Sequence, residues 1–143
     1  MALGLALCFF VIALVHVYWA FGGTKGLHLA LPERAAQPVF KPGPLPTLVV
    51  AVGMLGVVAC ILRLSPQIHW DVLAGLPVSW ARTSLGLLTV ALLLRAVGDF
   101  HYVGWGKCWV KRGINHTSFA KMDTRFYVPL CLLLASGLLT MLV

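Results

Sequence analysis

Two charged residues stand close together inside an apolar stretch of this chain. Arg95 follows three consecutive leucines, and Asp99 lies four residues further on, so a helix would place both on one face. A charge within a membrane is costly unless it is paired or hydrated. Two interpretations are open for this pair. It either joins helices as an internal ion pair or belongs to a binding or catalytic site.

Asp123 and His16 extend this polar set, and each has more than one possible role. Asp123 precedes an apolar run and could cap the N-terminus of a helix, or it could pair with Arg95 or Arg125. His16, near the end of the first apolar run, could be an interfacial hydrogen-bonding residue, a general base or a metal ligand. We predict no metal site, because no two histidines follow an HxxxH pattern and no HxxE occurs.

The composition predicts a membrane environment for these residues. The chain has 143 residues, of which 60% are apolar and 10% are charged, whereas a soluble domain carries about 25% charged residues. Four apolar runs are each about 20 residues long, the length that crosses a bilayer. We therefore predict a single domain, residues 1–143, that folds as an all-α integral membrane four-helix bundle. The predicted spans are residues 2–21, 45–64, 79–98 and 123–142.

The segments at the ends of these spans carry further expectations. The first span is expected to be a retained helix that ends at Gly22-Gly23, because no Lys or Arg precedes it and no A-x-A-like site follows. The linker from Gly22 to Pro44 is rich in proline, which predicts extended chain or turns at the membrane surface. Pro129 lies inside the last span, where it should kink the helix and leave the Arg125 carbonyl without its usual partner.

The basic residues predict an orientation in the membrane. Eight of them fall in the first and third connecting segments, and the middle one has only Arg63 and Arg82 at its edges. Cytoplasmic loops carry an excess of Lys and Arg. We therefore expect the first and third loops in the cytoplasm and both termini on the outer side, in the inner membrane of a bacterium. The eight residues are Lys25, Arg34, Lys41, Lys107, Lys111, Arg112, Lys121 and Arg125.

This topology brings most of the polar residues within the membrane to one leaflet. The end of the first helix, the end of the third and the start of the fourth then lie at one depth. Arginine suits carboxylate or phosphate groups, and aromatic rings suit a flat or acyl body. The predicted ligand-binding residues are His16, Tyr18, Trp19, Arg95, Asp99, Asp123, Arg125 and Tyr127.

Three stretches of the chain resemble a known family. The resemblance is to a bacterial membrane-protein family catalogued as domain of unknown function 3995, and it covers nearly the whole chain. It implies the four-helix fold and emphasises these stretches, but it implies no reaction. The stretches are HVYWAFGG (residues 16–23), RAVGDFHYVG (residues 95–104) and FAKMDTRFYVPLC (residues 119–131).

Three functions fit this pattern. The favoured hypothesis is a non-enzymatic membrane protein that binds a lipid headgroup, or a small hydrophobic or anionic ligand, at the cytoplasmic leaflet. The second is an accessory subunit of a larger membrane complex, or a homo-oligomer. The third is an enzyme acting on a membrane-dissolved substrate, with His16 or Asp99 as base and Arg95 as anion stabiliser. No cofactor is indicated. Nucleic acid is not an expected partner, because the net charge of +7 arises from residues between the spans.

Overall fold

The described residues form a bundle of helices, with one short helix and two short strands in the first connecting segment. The computed structural model describes residues 1–31, 33–34, 37–38, 42–66, 73–97 and 118–143, and for residues 33–34 and 37–38 it describes the backbone alone. The elements are α1 (Ala2–Ala20), α2 (Leu27–Ala30), β1 (Glu33–Arg34), β2 (Gln37–Pro38), α3 (Pro44–Leu64), α4 (Val78–Val97), α5 (Ser118–Met122), a π turn (Asp123–Tyr127) and α6 (Val128–Leu142).

Four helices in the described residues are long and apolar enough to cross a membrane, as the sequence predicts. The first three, α1, α3 and α4, lie within one residue of the predicted spans. The fourth is the continuous helix Ser118–Leu142, which starts five residues before the predicted boundary at Asp123. Asp123 is therefore inside this helix, and the prediction that it caps the N-terminus is wrong. Its side chain is fully buried and pairs with another helix.

The first helix ends at the predicted pair of glycines. Gly22 adopts a left-handed conformation with a φ of 89°, which glycine reaches without steric cost. Its N–H donates to the Trp19 carbonyl, and the N–H of Gly23 donates to the Tyr18 carbonyl. These two hydrogen bonds form a Schellman motif, which satisfies carbonyl groups that the helix end would otherwise leave unpaired.

The proline-rich linker contains a short helix that the sequence did not predict. Helix α2 begins after Gly26, another left-handed residue, and it contacts α5 at the start of the last membrane helix. The two-residue strands β1 and β2 then pair antiparallel, with Arg34 opposite Gln37. The contact between α2 and α5 places the first connecting segment and the start of the fourth membrane helix at the same end of the bundle.

The membrane helices pack in sequence order around a closed ring. Helix α1 packs mainly on α3, and α4 packs mainly on α6. Further contacts join α3 to α4 and α1 to α6. The hydroxyl of Thr140 lies 3.6 Å from the sulfur of Met1, so both termini are at one end of the bundle. The apolar core lies in this terminal half and consists of Leu5, Ala6, Phe9, Cys60, Ile61, Ala81, Leu85, Leu134 and Leu138.

Candidate functional site

The centre of the candidate site is an ion pair between two membrane helices. Nη2 of Arg95, in the last turn of α4, lies 2.6 Å from Oδ1 of Asp123 in the π turn. The Asp123 side chain is fully buried, and the Arg95 side chain is 31% exposed. Burying a lone carboxylate would be prohibitive, so the guanidinium group compensates this charge directly. The pair confirms one alternative from the sequence, in which Asp123 pairs with Arg95.

The helix around Asp123 contains a π turn, in which the backbone hydrogen bond spans five residues instead of four. The Val128 N–H donates to the Asp123 carbonyl five residues earlier, which defines the π turn. Pro129 follows directly, and because proline has no N–H and crowds the carbonyl four residues before it, a regular α-helical turn is disfavoured here. Single π turns within α-helices occur frequently at functional sites. The sequence predicted a disturbance at Pro129, and the structure shows it as this π turn.

The Arg95 guanidinium keeps one donor without an acceptor. Its Nη1 atom is buried, and it has no hydrogen-bond partner among the described residues. A buried donor that leaves its hydrogen bond unmade costs about 1–3 kcal/mol, and more when it is charged. Such a group in a native structure needs an acceptor that the described residues do not supply. Nη1 is therefore the atom of this site best suited to bind a ligand.

Two further side chains lie near the ion pair. The Tyr127 hydroxyl and the Cys131 thiol are both close enough to Arg95 and Asp123 to interact with their charges. Asp123, Tyr127 and Cys131 recur every four residues, so they follow one face of the last membrane helix. Tyr127 belongs to the predicted set. Cys131 does not, although its spacing from Asp123 could have identified it.

An apolar groove lies deeper in the bundle, along the same pair of helices. It has a volume of about 520 Å³ and is open to the outside of the bundle. Its hydroxyl groups, those of Thr89 and Ser136, donate to carbonyl groups of their own helices. The groove therefore presents an almost wholly apolar surface, typical of a site for a hydrocarbon chain. Its lining residues are Thr89, Leu93, Leu132, Leu133, Ala135, Ser136 and Leu139.

The predicted residues of the first helix form a second group. The His16 ring lies edge-on to Trp19, with 5.2 Å between ring centroids. Nδ1 of His16 lies 2.8 Å from the Ile12 carbonyl. A carbonyl group only accepts hydrogen bonds, so Nδ1 is the donor. In a neutral imidazole ring, Nε2 is then the acceptor. Trp19 donates from Nε1 to the Lys25 carbonyl at 3.0 Å, which ties the chain after α1 back to the helix.

The remaining predicted residues have different positions. Tyr18 is exposed, and its ring lies so close to Gly23 that a Cβ atom there would overlap it. Arg125 is exposed at the start of the last membrane helix. Asp99 lies outside the described residues. The structure thus brings Arg95, Asp123 and Tyr127 together, and it groups His16 with Trp19 separately. Within the part of the chain that the structure describes, no group of three His, Cys, Asp or Glu side chains could hold a metal ion.

The fold and the site together define a multi-pass membrane protein with an ion pair inside its helix bundle. The sequence profile of the family described as protein of unknown function (DUF3995) matches residues 9–138. The chain belongs to this family, which confirms the resemblance drawn from the three stretches. No curated protein and no solved structure matches the chain significantly.

Proposed function

We propose that this protein binds a membrane lipid along the seam between α4 and the last membrane helix. The carrying observation is that a buried donor of Arg95, without an acceptor in the part of the chain that the structure describes, lies on the same helix pair as an open apolar groove. A lipid has the matching arrangement, because it joins a polar group to a hydrocarbon chain. The proposed role is non-enzymatic, with the lipid as a bound ligand.

The dimensions of the seam agree with this arrangement. Thr89 lies six residues before Arg95 on the third membrane helix, and each residue of an α-helix rises 1.5 Å, so the groove extends about 9 Å or more below the guanidinium group. The groove on the last membrane helix begins nine residues after Asp123, about 13 Å along the axis. A polar group at the ion pair would thus be followed by a chain in the groove.

Basic residues at the mouth of the seam favour an anionic headgroup. Lys121 and Arg125 are both exposed and lie four residues apart at the start of the last membrane helix. Each basic residue near an anionic membrane surface contributes about 1 kcal/mol to the attraction. Tyr18, Trp19 and His16 belong to the same end of the bundle, where aromatic side chains suit the interface between headgroups and hydrocarbon.

Lipid binding can be tested by native mass spectrometry of the purified protein with added phosphatidylglycerol. Ser136→Trp places a large side chain in the groove from an exposed position and should abolish lipid adducts without lowering the melting temperature. The matched control is Val52→Trp, at an exposed position on α3. Equal adducts on the wild type and on Ser136→Trp would show that the groove holds no lipid.

We further propose that the protein lies in the inner membrane of a bacterium. The end of the bundle that carries Arg95 and Asp123 would then face the cytoplasm. The excess of Lys and Arg in the first and third connecting segments supports this orientation. In a variant whose only cysteine is the native Cys108, between Lys107 and Arg112, that thiol should resist membrane-impermeant reagents in intact cells. A cysteine at the C-terminus should react, and the reverse pattern would invert the orientation.

One observation favours the second candidate, a subunit of a homo-oligomer or larger complex. Gly53 and Gly56 on α3 are exposed, and a Cβ atom at either position would meet no other atom of the protein within 4 Å. Small residues let membrane helices approach closely, so these two glycines offer a surface on which another helix could pack. Gly53→Cys should then form a disulfide between two copies in the membrane, and Leu93→Cys, on the groove side, should not.

A further inference from the structure

We infer that the group bound by Arg95 is an uncharged carbonyl oxygen, namely the acyl ester of a glycerolipid, and that the lipid phosphate lies further out. This inference rests on the proposed lipid site and names the chemistry of its deepest polar contact. It follows from three observations: the neutralised charge of Arg95, the donor that this pairing leaves over, and the order of polar and apolar groups along the seam.

The first observation is that Asp123 already neutralises Arg95. Nη2 and Oδ1 are 2.6 Å apart, and the carboxylate is fully buried. An anion brought to Nη1 would gain attraction from the guanidinium group and lose a similar amount to repulsion by the adjacent carboxylate, in surroundings that screen charge weakly. An uncharged acceptor suffers no such repulsion. The pair therefore favours a neutral oxygen over a phosphate at this position.

The second observation is that Nη1 still requires a hydrogen bond. It is buried and has no acceptor among the described residues, although the side chain as a whole is 31% exposed. A guanidinium group presents several N–H donors in a rigid plane, so it can hold Asp123 with one nitrogen and an oxygen of the ligand with another. A carbonyl oxygen accepts hydrogen bonds and provides no competing donor. It therefore matches an orphaned N–H.

The third observation is the order of groups along the seam. The exposed Lys121 stands two residues before Asp123 at the start of the last membrane helix, and the apolar groove lies deeper, beyond Cys131. Arg95 lies between these levels, paired with Asp123. A diacyl glycerolipid has the same order, with the phosphate outermost, the ester carbonyls next and the acyl chains deepest. The order assigns the phosphate to Lys121 and an ester carbonyl to Arg95.

The test compares two phosphatidylglycerols of equal chain length, one with ester-linked and one with ether-linked chains. They share the headgroup and the hydrocarbon and differ in the carbonyl oxygens. Native mass spectrometry should show the wild type binding the diester about tenfold more tightly, the effect of one hydrogen bond to a charged donor. Arg95→Lys keeps a positive partner for Asp123 but has no second nitrogen, so it should bind both lipids as weakly as the wild type binds the diether.

Two controls separate this inference from the proposed function. Arg82→Lys, at an exposed position near the other end of α4, should keep the preference for the diester. The melting temperature of Arg95→Lys shows whether its ion pair is intact. Equal binding of diester and diether by the wild type, still abolished by Ser136→Trp, would overturn the carbonyl assignment and leave the lipid site standing. Binding insensitive to Ser136→Trp would overturn both. Preference for a membrane-soluble quinone over either lipid would also overturn the ester assignment.

Discussion

The two halves of the bundle are built differently. The half that contains the termini holds a continuous apolar core, in which Phe9, Ile61 and Leu138 are almost completely buried. The other half contains the first connecting segment, and its buried groups include the carboxylate of Asp123. There, Nη1 of Arg95 lacks an acceptor among the described residues. Between these halves, Thr89 is buried and bonds within its own helix.

This difference places the polar groups that could bind a ligand at one end of the bundle, whereas the apolar groove runs beside the packed half. Lipid chains are as apolar as leucine, so helix association in a membrane depends on close packing and on polar contacts. The terminal half uses close packing. Among the described residues, the other half uses one ion pair and leaves Nη1 of Arg95 without an acceptor, which packing alone does not explain. Changes in the two halves should therefore have different consequences.

The largest effect is expected for the loss of Arg95. Arg95→Met removes the guanidinium group that pairs with the fully buried Asp123, and breaking a buried pair in this way costs about 3–5 kcal/mol. The double variant Arg95→Met/Asp123→Leu removes both charges and should recover most of that loss. The free energy of unfolding in lipid bicelles is the measurement. Arg82→Met, at an exposed position, should change it by less than about 0.5 kcal/mol.

A small loss in Arg95→Met would contradict this view of the pair. It would mean that water or a proton reaches Asp123 despite its burial. The half of the bundle around the pair would then be hydrated, and Nη1 of Arg95 would need no ligand to satisfy it.

The second effect tests the packed half. Phe9 is 1% exposed in the core, whereas its neighbour Phe10 is 42% exposed on the outside of the bundle. Phe9→Ala should cost about 2 kcal/mol, since a cavity of roughly 90 Å³ costs about 24 cal/mol per Å³ and the transfer term is small in lipid. Phe10→Ala should change stability by less than about 0.5 kcal/mol. Equal losses would show that the core does not distinguish these two faces of α1. Lipid binding should survive in Phe9→Ala.

The sequence predicted the fold more completely than the site, for physical reasons. The spans follow from runs of apolar residues, and the end of α1 follows from the conformational freedom of glycine at Gly22, so both are local properties. The partner of Arg95 is not local. Asp99 has the favourable spacing on the same helix, but the described pair crosses to Asp123, which lies 28 residues away. The packing of α4 against the last membrane helix brings Asp123 to Arg95.

The groove and the short helix α2 show the same limit. The groove exists because side chains of two helices fail to fill the space between them, and no single stretch of sequence carries that information. Helix α2 is four residues long and contacts α5, so tertiary contact stabilises it rather than its own composition. The expectation of a non-enzymatic role stays a prediction, as does the orientation in the membrane.

A third effect compares a glycine in the packed half, Gly137, with a glycine on the outer surface, Gly53. A Cβ atom at Gly137 would lie 2.7 Å from a methyl carbon of the buried Leu5, whereas at Gly53 it would meet no atom. Gly137→Ala should cost about 1 kcal/mol, the lower range for overpacking, because the Leu5 side chain can shift slightly. Gly53→Ala should be neutral or raise stability by up to about 1 kcal/mol through helix propensity. A loss in Gly53→Ala would indicate a partner at that face.

The smallest effect concerns Asp99, the residue that the sequence placed beside Arg95. Arg95 already pairs with the buried Asp123, so Asp99 is expected to contribute only as a neighbour four residues away on one helix face. Such pairs contribute about 0.3–0.5 kcal/mol when exposed. Asp99→Asn should therefore lower the free energy of unfolding by less than about 0.5 kcal/mol, while Asp123→Asn lowers it several times more. Both variants preserve side-chain size, so the comparison isolates the charge. Co-purifying lipid, identified by mass spectrometry, should persist in Asp99→Asn. If Asp99→Asn instead loses as much stability as Asp123→Asn, the two carboxylates share Arg95. The spare donor at Nη1 would then belong to an internal network, and the lipid site would lose its polar anchor.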